Sequence, residues 1–183
     1  MTISAEDRST LVTLARQAVA AQVTGQPRPE APPDQGLLAE ERGCFVTLTN
    51  AGYLRGCIGT FQPDRPLGEM IIEMGMSAAG HDPRFLANPI TADELDHLHI
   101  EVSVLSPLEK TDDPLGLEIG THGIYVQGGG RSGCFLPEVA TDQGWDAQQF
   151  LDHCCASKAG MGSGAWRQSD TTVYLFTSEK FSG

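Results

Sequence analysis

The sequence predicts an α+β fold: a mainly antiparallel sheet built from hairpins with flanking helices, around a larger core that leaves room for a small subdomain. Three observations carry this. Strand-forming segments come in pairs joined by short glycine-containing turns. Helical segments are interspersed among them without a regular β-α-β rhythm, which argues against a doubly wound parallel sheet. The chain of 183 residues is long enough to enclose a real core without metal or disulfide staples. The reading is of one domain over residues 1–183, entered through a helix and a proline-rich connector within residues 1–42.

Ser4 and Asp7 form a helix-capping pattern, after which Leu11, Leu14, Ala15, Ala18 and Val19 recur at helical spacing until Gly25. Pro27, Pro29, Pro32 and Pro33 then make residues Gln26 to Gln35 an extended connector. Cys44 to Thr49, the turn Asn50-Ala51-Gly52 and Tyr53 to Thr60 read as a hairpin. Leu67, Met70, Ile71, Met74 and Ala78 predict a second helix ending near Gly80, followed by a loop from His81 to Phe85. Thr91 and Glu94 can cap a short helical turn, and Leu98, Ile100, Val102 and Val104 alternate as a half-buried strand. Gly123 to Gln127 and Gly133 to Val139 read as a second hairpin around Gly128 to Ser132. Asp146 starts a third long helix through Phe150, Leu151 and Cys154, and Thr171 to Thr177 is the last strand.

The net charge of −12, with 12 basic residues against 24 acidic ones, opposes binding to duplex DNA, whose phosphates are held mainly by Lys and Arg. The beginning lacks the basic region and apolar stretch of a signal peptide, and no apolar run would cross a bilayer, so a cytoplasmic protein without membrane attachment is expected. Five cysteines without a CxxC pair suit neither a disulfide framework nor a zinc site, so reduced thiols, no metal and no cofactor are expected. The run Gly128-Gly129-Gly130 lacks the Lys-Ser/Thr of a phosphate loop and reads as a hairpin tip.

The segment Leu54-Arg55-Gly56-Cys57-Ile58-Gly59-Thr60 resembles the signature of the AMMECR domain family. Further landmarks follow in the expected order: Asp82-Pro83-Arg84-Phe85, the run from Ile100 to Pro107, His122-Gly123, Phe135-Leu136-Pro137 and Gln143-Gly144-Trp145. The resemblance covers roughly residues 43–176. It implies occurrence beside Memo-like and radical SAM proteins, and it assigns no reaction by itself. Gly80-His81, Cys134 and the pair Cys154-Cys155 depart from the family pattern, so the resemblance supports no role for them.

On a regular strand Tyr53, Arg55 and Cys57 share one face, while Leu54, Ile58 and Thr60 share the other. A guanidinium beside Cys57 would favour its thiolate, and Gly56 and Gly59 leave room for a ligand or another backbone. The bland counterpart is a Cys57 that packs as a small hydrophobe, with Arg55 reaching a structural carboxylate. A thiol enzyme needs a base. Of His81, His97, His99, His122 and His153, the first choices are His122, inside a landmark, and His81, beside one. Arg84 offers a planar fork for a phosphate or carboxylate, or a structural ion pair with an Asp, and Asp82 either orients a partner or makes a turn.

Two functions follow. One is an enzyme, or part of an enzyme system, that modifies a small molecule, nucleotide or RNA through Cys57, with Arg55 and Arg84 holding an anionic substrate. The other is a noncatalytic binding module for a peptide, a nucleotide or a Memo-like or radical SAM partner. The substrate and the oligomeric state are not expressed in the sequence.

Overall fold

The computed structural model describes residues 2–32 and 36–183, and the connector residues Pro33, Asp34 and Gln35 lie outside the described part. The chain divides into two compact units, residues 1–105 with 179–183, and residues 106–178.

The first unit opens with α1 (Ala5–Thr24), capped where the Ser4 hydroxyl accepts from the Asp7 N–H at 3.1 Å and ended by Gly25 at φ 68°. Its predicted apolar stripe, Leu11, Leu14, Ala15, Ala18 and Val19, is buried. The hairpin follows as β1 (Cys44–Asn50) and β2 (Tyr53–Thr60), turning through Ala51 and Gly52, both at positive φ. That pair of conformations matches the twist of antiparallel strands and is tolerated best where glycine supplies one of them. Next come α2 (Leu67–Gly80), a short 3₁₀ turn at Ala92–His97 and β3 (Leu98–Leu105). All five predicted core positions of α2 and all four of β3 are buried. Gly75 lets α2 approach α1, because a side chain there would press on Ala15 and Ala18.

With β8 at Ser178–Ser182, the strand order in this unit is β2-β1-β3-β8, and β1 pairs antiparallel with both β2 and β3. Strand β8 (Ser178–Ser182) has no counterpart in the sequence reading, because Ser178-Glu179-Lys180-Phe181-Ser182 has one apolar residue and no alternation to betray it. Cys44, Val46 and Leu48 of β1 and Ile100, Val102 and Val104 of β3 form the inner face, in one core with α1 and α2. By alternation Phe45, Thr47 and Thr49 form the outer face.

The second unit holds a sheet of order β4-β7-β5-β6, made of β4 (Glu109–Thr111), β5 (Gly123–Gly128), β6 (Arg131–Phe135) and β7 (Thr171–Phe176). Strand β5 pairs antiparallel with β6 and β7, and β4 does so with β7, so the α+β class holds, with two sheets in place of one. The β5–β6 loop is only Gly129-Gly130, both at positive φ. The second hairpin strand stops at Phe135 rather than Val139, because Pro137 starts α3 (Pro137–Gln143), where its missing N–H costs nothing. The long helix expected from Asp146 is α4 (Ala147–His153) continued by a π-helical turn at Cys154–Lys158. That turn lies against β6, where any side chain at Gly133 would collide with the backbone of Lys158 and Ala159. Phe135 stacks on Phe150 at 5.6 Å in a core that also holds Leu151, Cys154 and Trp166. No helix among the described residues is long and apolar enough to cross a membrane.

Candidate functional site

The signature occupies β2, the edge strand of the first unit's sheet. A hairpin turning at Ala51-Gly52 without irregularity would set Cys57 opposite Val46, facing the core. The register shows otherwise: Thr49 pairs with Leu54 but Leu48 pairs with Gly56, so Arg55 is an extra, unpaired residue in a β-bulge. Bulges of this kind re-aim the strand beyond them. Cys57 therefore pairs with Thr47 on the outer face, and its Sγ lies 3.2 Å from the Thr47 hydroxyl.

The bulge corrects the expectation that Arg55 and Cys57 are neighbours on one face. The Arg55 guanidinium binds the Glu94 carboxylate through Nε and Nη2, both at 2.9 Å, and the carbonyls of Asn88 at 3.2 Å and Pro89 at 3.1 Å. Glu94 also accepts from the Asn50 side chain and from the Thr91 N–H, each at 3.1 Å. With Arg55 as the main cause, the Glu94 carboxyl is held at about 2. Arg55 is thus committed to the 3₁₀ turn that precedes β3, in keeping with the structural alternative of a carboxylate partner. Beside this pair, at the hairpin tip, lies an open cleft of about 530 Å³ walled by Asn50, Tyr53, Leu54, Phe85 and Asn88.

The arginine at Cys57 is Arg84. Asp82, only 3% exposed, accepts from the Cys57 N–H at 2.9 Å and from Arg84 Nη2 at 2.6 Å, while Arg84 Nε reaches its other oxygen at 2.9 Å. Arg84 Nη2 also donates to the Cys57 carbonyl at 3.2 Å. Asp82 and Arg84 therefore satisfy both backbone groups that Cys57 turns outward at the sheet edge, as a neighbouring strand would. Arg84, as the first cause, holds the Asp82 carboxyl at about 2. The same hydrogen bonds push the Arg84 pKa up, with a smaller contribution from Cys57. The side chain of Arg84 stays 55% exposed, and its guanidinium also lies over the Phe85 ring, 5.5 Å from the centroid.

Both glycines sit at close approaches of another backbone, the second of the two alternatives that the sequence offers. A side chain at Gly56 would collide with the Ala78 carbonyl of α2, so Gly56 admits the helix backbone against the strand. At Gly59 the space is filled by the Phe45 ring and the Cys44 carbonyl, and the ring meets Phe61 edge-on at 4.9 Å.

Neither leading histidine is hydrogen-bonded to Cys57. His81 is an exposed residue at the end of α2, held by its own N–H to the Ser77 carbonyl at 2.8 Å. His122 belongs to the second unit, where its Nδ1 accepts from the Glu118 N–H at 3.0 Å, which puts the ring proton of the neutral form on Nε2. No group of three His, Cys, Asp or Glu among the described residues could hold a metal ion. Thr47 and Glu94 join the site without having been singled out in the sequence. Glu94 is visible there as a cap, but its pairing with Arg55 spans the intervening chain, and Thr47 faces Cys57 only because of the bulge.

The AMMECR1 family profile matches residues 12–181, which spans sequence from both units. A protein of Methanothermobacter thermautotrophicus is 39% identical over 98% of this chain and 95% of its own length. Protein MK0488 of Methanopyrus kandleri is 42% identical over 98% of this chain and 89% of its own. The crystal structure of protein PH0010 from Pyrococcus horikoshii superposes with a TM-score of 0.84 at 39% identity, covering 98% of this chain and 93% of that one. The match along nearly the whole chain, the signature on β2 and the likeness of the folds lead to one conclusion: the chain belongs to the AMMECR1 family.

Proposed function

We propose that Cys57 serves as the thiol nucleophile or thiol acid/base of an enzyme, or of an enzyme-system component, acting on an anionic small molecule, nucleotide or RNA. The observation that carries this reading is the arrangement around Cys57 itself. Its backbone is held at both polar groups by Asp82 and Arg84, its sulfur meets the Thr47 hydroxyl, and the Arg84 guanidinium next to it stays 55% exposed. A sulfur fixed against a hydroxyl and lying near a cation is the setting in which thiols act as nucleophiles. Arg84 takes over the anion-holding role that the sequence divides between Arg55 and Arg84, because its fork is half open whereas that of Arg55 is saturated. In the covalent version the thiol proton passes to water, a bond forms from Sγ to an electrophilic carbon of the substrate, and the bond from that carbon to its leaving group breaks with its electron pair, the leaving group taking a proton from water.

Peptide-resolved alkylation by iodoacetamide near neutral pH tests this, with Cys57→Ser as the control. Cys57 should label in the native protein and faster than in the unfolded chain, and Arg84→Ala should slow it several-fold. Labelling only after denaturation would make Cys57 a packing residue.

A second reading, a noncatalytic binding module, is favoured by the hairpin tip. Tyr53 is 77% exposed, Leu54 37% and Leu86 61%, an unusual group of large apolar side chains in the cleft walls and the loop beside them. A peptide, or a Memo-like or radical SAM protein, would dock there. Loss of a purified Memo-like partner on Tyr53→Ala, with Cys57 labelling unchanged, would favour this reading over the enzyme.

A further inference from the structure

The outer face of the first unit's sheet carries a row of polar side chains that crosses all four strands. Cys57 on β2 is opposite Thr47 on β1, and Thr47 is opposite Glu101 on β3. Glu101 in turn pairs with Lys180 on β8 at 3.8 Å. Directly opposed residues share a face and stand close enough for their side chains to meet. Thr47 thus has a sulfur residue opposite it on one side, Cys57, and a carboxylate residue on the other, Glu101, and its hydroxyl has only one proton to donate. Its contact in the structure is with the sulfur, at 3.2 Å, while Glu101 is engaged by Lys180.

We infer that Glu101 and Lys180 are positioning residues that set the reactivity of Cys57 through Thr47, by keeping the Thr47 proton on the sulfur. This rests on the thiol reading above and names its regulation. With Lys180 in place the Glu101 charge is answered on its far side, and the Thr47 hydroxyl is left to donate to the Cys57 thiolate. Without Lys180 the carboxylate becomes the stronger acceptor, the hydroxyl turns to it, and the sulfur loses its donor. Among the described residues, further charged or titratable groups along this row include Arg84 and Asp82 at Cys57, and His99, which is opposite Thr49 one pair along β3. Lys180 stands three strands from Cys57, roughly 14 Å at ordinary strand spacing. At that separation its direct field at the sulfur is largely screened by salt. An effect of Lys180 on Cys57 must therefore travel through Glu101 and Thr47.

The experiment is the rate of Cys57 alkylation by iodoacetamide in the full chain, near neutral pH and physiological salt, across a set of variants. Lys180→Met should slow labelling about tenfold, the effect of one hydrogen bond to a charged acceptor. Lys180→Arg should label as the natural protein does, and Lys180→Met with Glu101→Gln should recover to within about twofold, since a neutral amide no longer outcompetes the thiolate. In a Thr47→Val background, Lys180→Met should change nothing. An unchanged rate in Lys180→Met, or a slowing by Lys180→Met that persists in the Thr47→Val background, overturns the inference while leaving the thiol reading intact. A native Cys57 that does not label at all overturns the thiol reading itself. Circular dichroism and urea unfolding of each variant separate a changed thiol environment from a changed fold.

Discussion

Cys44 and Cys57 stand on the two strands of one hairpin and have opposite surroundings. Cys44 points into the core between the sheet and its helices, is fully buried, and has its thiol pushed up to about 12, first by burial and then by the charge of Glu73. Cys57 is half-buried on the outer face, meets a hydroxyl at its sulfur and an ion pair at its backbone. The two arginines of the motifs differ in the same way: Arg55 is largely covered and fully bound, whereas Arg84 is exposed and partly open. Residue type does not separate the covered from the accessible members of these pairs. One bulged residue, Arg55, decides which face each side chain after it will occupy.

The contrast between the two faces is most readily destroyed at Gly56. Gly56→Val would force α2 away from the strand at the Ala78 carbonyl, and a loss of about 3 kcal/mol or more in urea unfolding is expected. The matching change at Gly59 meets the Phe45 ring and the Cys44 carbonyl, so Gly59→Ala should be destabilising as well, and Gly56→Ala, where the carbonyl obstacle is nearer, should cost more.

Next in size is Asp82→Ala, which leaves the Cys57 N–H and the Arg84 fork without their shared acceptor. About 2 kcal/mol of stability should be lost near neutral pH, together with the edge that holds Cys57. Acid titration isolates the same contact. The Asp82 carboxyl ordinarily titrates near 3.8 and is held at about 2 in the folded protein. With the folded value the lower of the two, its stabilisation is complete above the ordinary value and is lost as pH falls through the folded one. Unfolding at a series of pH values should therefore show the gap between natural protein and Asp82→Ala narrowing below about 4 and closing near 2. Glu94, ordinarily 4.5 and also held at about 2, should behave alike, so Glu94→Gln should lose its destabilising effect over the same acid range.

Much of this architecture is legible in the residues. The stripe of α1, the apolar spacing of α2 and the alternation of β3 each predict their buried sets, because a core imposes a period on any element that faces it. Strands β4 and β8 are not legible, since Glu109-Lys110-Thr111 and Ser178 to Ser182 contribute backbone pairing and little apolar surface. The signature and the Asp82-Pro83-Arg84-Phe85 loop both stand out as site segments, but nothing in their residues says that the second clamps the first. Strand alternation puts Arg55 beside Cys57, and a bulge has no reliable residue signal, so the arginine that neighbours the thiol is the wrong one by pattern alone. The pairing of Thr47 with Cys57 is hidden for the same reason.

The smallest effect belongs to the exposed tip. Tyr53→Ala removes a side chain that stands mostly in solvent, so stability should move by no more than about 0.5 kcal/mol. A larger loss would mean that the tip is part of the packed structure and not a surface held open for a partner.

Whether Cys57 is a reactive thiol organised by Asp82 and Arg84 is decided by following alkylation of Cys44 and Cys57 together in the native protein. Cys57 should label rapidly, Cys44 should label only on unfolding, and Arg84→Ala should slow Cys57 several-fold in protein that is still folded. If the two cysteines label alike, or if Cys57 is indifferent to Arg84, the difference between the two faces of the hairpin carries no chemistry and Cys57 is not the reactive centre proposed for it.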